Sequence, residues 1–307
     1  MAKIAVDLEK ALARRMLEGC PGRTTTRWLA QGEGWGVGDV ICTFGPPDRP
    51  FEERRASVAI ALVTAGTFQY RSAGGRELMT PGSLMLGNAG QSFECAHEHG
   101  PGDRCLSFHY DPDYFESLAM DAAGGSLAPR ACGVRPGFRA LRLPPLRPMS
   151  PLVARAQAGL TGMVNVSWEE LSVEMAARTV QLAAGFTPST RDVSPAATAR
   201  VTRAVRRIER DPGDGLSLAA LAREARLSPY HFLRTFQRLT GVTPHRYVLR
   251  MRLREAATRL AAEPVRVVDA AFDSGFGDVS NFNHAFRAEF GASPRGFRRT
   301  SRMSRSV

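Results

Sequence analysis

A pattern of seventeen residues occurs twice near the C-terminal end of the chain, fifty positions apart. The first copy, SPYHFLRTFQRLTGVTP, begins at Ser228, and the second, DVSNFNHAFRAEFGASP, begins at Asp278. Each copy starts with a residue that caps helices and carries two phenylalanines four positions apart. Near its end, each copy has a glycine three positions before its final proline. The repeat indicates one structural unit built twice, and its cap, apolar stripe and glycine stop predict two helix-turn-helix units.

The residues around the two copies predict how the units are connected. Ala222 and Ala271 lie on the first helix of each unit and are small enough to let a second helix cross closely. They are 49 positions apart whereas the caps are 50 apart, so the second turn is expected to be one residue longer. Thr243 and Pro244 predict the start of a connecting helix that runs to about Ala262. A plain helical bundle is the alternative to this interpretation.

The positive charge of the chain lies in the same segment as the repeat. From residue 195 to the C-terminus there are 21 arginines, no lysine and 10 acidic residues, a net charge of +11, whereas residues 1–194 carry 20 basic and 20 acidic residues. A GC-rich genome would explain arginine in place of lysine but not this asymmetry. The excess is expected for a segment that binds DNA phosphates, and Arg252→Ala is expected to lower DNA affinity uniformly. The connecting helix carries Arg246, Arg250, Arg252, Arg254 and Arg259.

Residues from about 196 to 299 resemble the DNA-binding domain of AraC/XylS-type bacterial transcription regulators. The motifs that carry the resemblance are LAALAREARLSPYHFLRTFQRLTGVTPHRYVLRMRLREAATRL and AAFDSGFGDVSNFNHAFRAEFGASPRGFR. The resemblance implies seven helices, two of which enter adjacent major grooves of double-stranded DNA. It also implies control of transcription initiation, activation rather than repression, and RNA polymerase as a partner.

The predicted DNA contacts lie near the start of each recognition helix, on the face opposite the phenylalanines. Arg234 suits a guanine edge and Asn283 an adenine edge. A surface or phosphate-binding role is the alternative for His231. The predicted DNA-binding residues are Tyr230, His231, Leu233, Arg234 and Arg238 in the first unit and Val279, Ser280, Asn283, His284 and Arg287 in the second.

The first half of the chain has short apolar runs separated by glycine-rich and proline-rich turns, which predict an antiparallel sheet or barrel. The segment LMTPGSLMLGNAGQSFECAHEH resembles a corner of a cupin-type barrel. The predicted fold is therefore α+β with two domains, an N-terminal cupin-like antiparallel β-barrel with helices and a C-terminal all-α double helix-turn-helix. The predicted divisions are a sensory domain over 1–148, a helical segment over 149–186, a linker over 187–198 and the DNA-binding domain over 199–300.

The motif CAHEHGPGDRC suggests a metal site, because it brings together cysteine and histidine, which zinc prefers. The carboxylate and later histidine that the cupin resemblance implies for an enzyme do not form a clear set, so no enzymatic activity and no cofactor are predicted. A structural role is the favoured interpretation, with metal binding or a Cys95–Cys105 redox switch as alternatives. A cupin enzyme fused to a DNA-binding module and a constitutive architectural or nucleoid protein are further alternatives. The candidate metal residues are Cys95, His97, His99, Cys105 and His109.

The remaining features bear on location and partners. Five scattered cysteines and an N-terminus without a long apolar run predict a reducing cytoplasm and no membrane association. The apolar helix predicted over residues 167–186 is expected either to form a homodimer contact or to pack on the barrel. A small-molecule effector is expected inside the barrel, where its binding would shift the population between two domain arrangements.

Overall fold

The fold is taken from a computed structural model of the chain. No helix within the described residues is both long enough and apolar enough to cross a membrane. The structure describes residues 3–122, 137–162, 164–186, 193–213 and 216–303.

The chain divides into two compact units, which we call the sheet unit and the helical unit. The sheet unit comprises Leu8–Pro144 and Ser167–Asp192. The helical unit comprises Met1–Asp7, Pro145–Val166 and Val193–Val307.

The sheet unit contains short strands separated by turns, as the glycine and proline pattern predicts. Helix α1 (Lys3–Glu18) precedes them and is amphipathic. The strands are β1 Thr24–Gly32, β2 Trp35–Cys42, β3 Phe51–Arg54, β4 Val58–Gly66, β5 Phe68–Ser72, β6 Gly75–Met79, β7 Leu84–Gly87, β8 Ser92–Ala96, β9 Asp103–Tyr110 and β10 Arg142–Leu143.

These strands form two antiparallel sheets rather than the closed barrel that the sequence predicts. One sheet has six strands in the order β1-β2-β9-β4-β7-β10, and the other has four in the order β3-β8-β5-β6. Within the described residues no hydrogen-bonded strand pair joins the two sheets into a ring. Alternation along a strand predicts the strand itself but not which edges meet, and this is why barrel closure was predicted wrongly. The core between the sheets is built from buried side chains such as Val63, Phe68, Tyr70, Phe93 and Cys105.

The helical segment predicted over 149–186 contains two helices, and these are divided between the two units. Helix α2 (Pro112–Ala122) follows β9 in the sheet unit, while α3 (Ser150–Leu160) belongs to the helical unit. Helix α4 (Trp168–Ala183) returns to the sheet unit and packs beside α2, β1 and β2. The Tyr110 hydroxyl donates to the Ser172 carbonyl of α4 at 2.8 Å. Packing within the sheet unit therefore accounts for part of the apolar face of α4.

The helical unit contains the seven helices that the family resemblance implies for its DNA-binding part. Residues 187–192 of the expected linker lie outside the described residues, and the first of the seven helices already begins at Pro195. The helices are α5 Pro195–Arg210, α6 Leu218–Glu224, α7 Pro229–Thr240, α8 Pro244–Ala262, α9 Val267–Asp273, α10 Val279–Phe290 and α11 Pro294–Met303.

The two helix-turn-helix parts of the helical unit, α6–α8 and α9–α11, pack in the same way. Four residues separate α6 from α7 and five separate α9 from α10, so the longer second turn is confirmed. Phe236 meets the ring of Tyr247 edge-on at 5.6 Å, and Phe286 meets Phe297, which is fifty positions after Tyr247, edge-on at 5.5 Å. The repeat therefore extends into α8 and α11, beyond the stretch that the sequence pattern marks.

Candidate nucleic-acid interface

The ends of α7 and α10 are fixed by the residues that the repeat predicts. The Ser228 hydroxyl accepts a hydrogen bond from the His231 amide at 3.3 Å, and Gly241 ends α7 in the left-handed conformation with φ +79°. The Asp278 carboxylate accepts two backbone amides of the first turn of α10 at 2.9 Å each, and Gly291 ends that helix with φ +75°. Those two amides lower the pKa of Asp278, because they stabilise its ionised form.

Each of these helices buries its phenylalanines and turns the predicted DNA contacts outward. Phe232 and Phe236 of α7 and Phe282 and Phe286 of α10 are fully buried. Leu233 and Val279 are half-buried, so they lie at the border between the buried and exposed faces. The predicted contacts that are exposed are Tyr230, His231, Arg234, Arg238, Ser280, Asn283, His284 and Arg287.

On α7, Tyr230 and Arg234 form an ordered pair one turn apart. The Tyr230 side chain is 61% exposed, although large aromatic side chains are usually buried. Arg234 Nη1 donates to the Tyr230 hydroxyl at 3.2 Å, and its guanidinium lies 5.8 Å from the tyrosine ring centre. The pair restricts the guanidinium without burying it, which leaves donors available for an acceptor such as a base edge.

An open groove of about 900 Å³ runs beside α10. Asn283 and Val279 line it on one side, and Arg266 and Arg295 bring positive charge to it from the starts of α9 and α11. The prediction from sequence included neither arginine, because only the fold brings residues on three helices together. Arginines beside a recognition helix are the side chains that commonly hold phosphates of the DNA backbone.

Arg250 on α8 faces the interior of the helical unit. Its Nε lies 3.0 Å from Oε1 of Glu289, and its guanidinium also donates to the Pro145 carbonyl. Glu289 additionally accepts a hydrogen bond from the Ser150 hydroxyl at the start of α3. Arg250 therefore connects three helices of the unit and is not exposed for DNA.

Other α8 arginines are also engaged within the helical unit. Arg252 Nε donates to the Pro212 carbonyl at 2.6 Å, and Arg254 is buried. Arg259 Nη1 lies 2.7 Å from Asp273. The contact of Arg252 gives it a structural role, so any uniform loss of DNA affinity in Arg252→Ala would accompany a loss of stability.

Comparison with known proteins agrees with this geometry. A family model described as a helix-turn-helix domain matches residues 221–300. The HTH-type transcriptional activator RhaS of Escherichia coli O139:H28 (strain E24377A / ETEC) is 39% identical over 85 residues, which is 28% of this chain and 31% of RhaS. The helical unit carries an AraC-type helix-turn-helix domain.

Solved structures with AraC-type domains are similar to about a third of the chain. The DNA-binding domain of AdpA, described as a global transcriptional factor and solved with a target DNA, is 25% identical with a TM-score of 0.34, and the match covers 35% of this chain and 96% of that one. An AraC-type regulator from Chromobacterium violaceum is also 25% identical, with a TM-score of 0.33 and the same coverage. This chain spans less than a third of the length of the RhaS proteins it matches.

Outside the AraC-type domain, two of the five candidate metal residues, His99 and His109, contact other side chains of the sheet unit. His109 hydrogen-bonds through Nδ1 with the Ser57 hydroxyl at 3.2 Å and meets the Trp28 ring edge-on at 5.3 Å. Burial, with a smaller contribution from the positive charge of Arg55, lowers the pKa of His109 to about 4. His99 Nε2 lies 3.8 Å from Oε2 of the neighbouring Glu98. Among the described residues, neither histidine belongs to a group of ligand atoms close enough to share a metal ion.

His97 and Cys105 instead meet at Asp103. His97 Nε2 lies 2.6 Å from one Asp103 oxygen, and the Cys105 thiol donates to the other at 3.2 Å. Cys42 completes a group whose ligand atoms, with those of His97 and Asp103, all lie within 4.8 Å of one another. Burial and the adjacent Asp103 charge raise the pKa of Cys42 to about 12. Cys42 lies more than fifty residues from the motif, and only the pairing of β2 with β9 brings it there.

Proposed function

We propose that this protein is a sequence-specific DNA-binding transcription regulator whose helices α7 and α10 enter adjacent major grooves. The observation that carries the proposal is the pair of helices that each begin at a side-chain cap, end at a left-handed glycine, bury a phenylalanine face and expose a polar face. An α-helix fits the major groove, where base edges present distinct patterns of donors and acceptors. Two such helices in one unit suit a bipartite site with half-sites about one helical turn apart.

Base contacts are assigned to the exposed residues near the start of each helix. Arg234 is proposed to donate to a guanine edge in one half-site, with the Tyr230 ring beside it orienting the guanidinium. Asn283 is proposed to bond an adenine edge in the other half-site. Arg246, Arg266 and Arg295 are exposed and are proposed to hold phosphates, because they lie near the starts of α8, α9 and α11.

The wider role of the protein is an extension of this proposal. The relatives named RhaS are described as transcriptional activators, which supports activation. RNA polymerase is proposed as the partner. The sheet unit is proposed to be the cupin-like sensory part, which responds to a small effector, and α4 is proposed to contribute to a homodimer. The protein is proposed to act in the cytoplasm, where DNA is accessible.

The first test is to sequence the genomic fragments that the purified protein binds at near-physiological salt. We expect a recurrent bipartite site with two half-sites about 10.5 base pairs apart. Binding spread evenly over the genome would contradict the proposal.

The second test asks whether α7 and α10 each contact a different half-site of that sequence. Arg234→Ala should weaken binding by about 1–3 kcal/mol and remove base discrimination at one position of one half-site, and Asn283→Ala should do the same in the other half-site. Arg203→Ala is the matched control, because Arg203 is exposed on α5 and its loss removes the same charge. Equal losses on the specific site and on random DNA for Arg234→Ala would refute its assignment as a base contact.

A further inference from the structure

The sheet unit holds a group of ligand-type side chains that the DNA-binding proposal does not use. Cys42, at the end of β2, is paired with Asp103, at the start of β9, so their side chains share one face of the six-stranded sheet. Cys105 lies two residues after Asp103 on the same face and packs in the core between the sheets. Strand pairing therefore brings a thiol from β2 against a carboxylate and a thiol from β9.

His97 reaches the same place from the turn after β8. Its side chain is 1% exposed, and one ring nitrogen is bound to Asp103 while the other, Nδ1, has no hydrogen-bond partner among the described residues. The rings of Phe44 and Phe68 lie 6.5 and 5.9 Å from the imidazole. A buried polar atom without a partner is unfavourable, and such atoms in native proteins often mark a missing ion or ligand.

The turn between His97 and Asp103 is held in place by its backbone. The Gly102 amide donates to the Phe44 carbonyl at 2.8 Å, and Gly102 adopts the left-handed conformation with φ +69°. A Cβ at Gly102 would lie 3.0 Å from the Cys42 carbonyl oxygen, so the chain passes too closely for a larger residue to fit easily. This close passage brings His97, Asp103 and Cys42 to one point.

We propose that Cys42, His97 and Asp103 form a buried binding site for a zinc-type divalent ion. Ligand atoms around tetrahedral zinc lie about 3.6 Å apart, given bonds of about 2.0–2.3 Å. The three ligand atoms are already within 4.8 Å of one another, so shifts of about 1 Å suffice, with the 2.6 Å hydrogen bond between His97 and Asp103 opening as the ion enters. Cys105 orients the carboxylate through its 3.2 Å hydrogen bond, which is the kind of support that metal ligands commonly have.

The donor set selects the class of ion. Thiolate, imidazole and carboxylate together suit zinc, whereas calcium and magnesium prefer all-oxygen sites and copper(I) prefers sulfur. The aromatic walls and the burial of all three residues describe a site shielded from solvent, in which a tetrahedral ion would take a water molecule as its fourth ligand. This set was not identified from the sequence, because Cys42 lies outside the metal motif and Asp103, although inside it, is not among the candidate metal residues.

The test measures zinc and cobalt binding by the full-length protein after chelator treatment and reduction. Competition with a chromophoric zinc chelator should give one tight site per chain. Cobalt should produce a thiolate-to-metal charge-transfer band and the visible bands of tetrahedral coordination. Cys42→Ser and His97→Gln should each lower zinc affinity by at least about 10–100-fold and remove the charge-transfer band or alter it.

Two control variants separate this site from other cysteines and histidines. Cys20→Ser removes an exposed cysteine and His109→Gln removes a histidine that is bound elsewhere, so both should keep full zinc affinity. The cobalt spectrum of the unaltered protein is informative even if a variant fails to fold. No cobalt charge-transfer band in the unaltered protein, or equal zinc affinity in Cys42→Ser and Cys20→Ser, would overturn the proposal.

Discussion

The Arg250–Glu289 pair offers the sharpest test of which arginines of α8 are structural. The two side chains are only 12% and 10% exposed, and their closest atoms are 3.0 Å apart. Arg250→Met keeps the aliphatic stem but leaves the Glu289 charge buried with the Ser150 hydroxyl as a remaining donor. Breaking a buried pair costs about 3–5 kcal/mol, and the remaining donor favours the lower end, so we expect a loss of about 3 kcal/mol in the free energy of unfolding.

The assay follows the two units separately during urea unfolding. All three tryptophans, Trp28, Trp35 and Trp168, belong to the sheet unit, so their fluorescence follows that unit. Far-ultraviolet circular dichroism is dominated by the helical unit. Arg250→Met should therefore shift the circular-dichroism transition and leave the fluorescence transition in place.

Two further variants serve as a control and as a rescue for Arg250→Met. Arg246→Met removes the same charge from the exposed side of the same helix, and its stability should change by less than about 0.5 kcal/mol. Arg250→Met combined with Glu289→Leu should recover most of the loss, because no charge is left unpaired. Unchanged stability in Arg250→Met, together with weaker DNA binding, would refute the structural role of Arg250 and restore a phosphate contact.

Three other predictions concern single residues. The pKa of His109 is about 4 in the folded chain, whereas an ordinary histidine, as in the unfolded chain, has a pKa of 6.5. The unfolded chain therefore binds more protons than the folded chain between pH 4 and pH 6.5. The sheet unit should therefore lose up to about 3 kcal/mol of stability as the pH falls from 6.5 to 4, and tryptophan-monitored unfolding of His109→Gln should show a flatter pH profile. Gly291→Ala should destabilise the helical unit by about 1–2 kcal/mol because of its φ of +75°, since an added Cβ would meet nothing within 4 Å. Gly277 is equally open but lacks the left-handed φ, so Gly277→Ala should be near neutral in the same urea assay. Native alkylation followed by peptide mass spectrometry should label exposed Cys20 and spare buried Cys42, and rapid labelling of Cys42 would contradict its high pKa and burial.

Most of the helical unit could be predicted because the sequence signals that define its helices act locally. Caps, apolar stripes and glycine stops act within one or two turns of a helix, and the structure has α7 and α10 beginning and ending where Ser228, Gly241, Asp278 and Gly291 place them. Even the extra residue of the second turn was predicted, because an offset of 49 against 50 is a property of the sequence alone.

The sheet unit was less predictable because its arrangement depends on contacts between distant residues. The strands themselves were predicted, but neither the opening of the sheets nor the meeting of Cys42 with Asp103 follows from local pattern. The metal motif was defined by proximity in sequence, which favoured His99 and His109. Strand register instead selected Cys42 and Asp103, sixty-one positions apart.

Arginine shows why composition alone could not identify the DNA contacts. Arg234 and Arg250 are only sixteen positions apart in an arginine-rich segment, and each lies on a helix with polar neighbours. Arg234 is exposed beside Tyr230, where the contact of a cation with an aromatic ring is worth about 0.5–1 kcal/mol, so the guanidinium can exchange its partner for DNA at little cost. Arg250 is held by buried Glu289, where loss of the partner costs several times more, so it cannot leave without weakening the unit. The net charge of +11 locates the DNA-binding segment, but burial decides which arginines within it can reach the phosphates and bases.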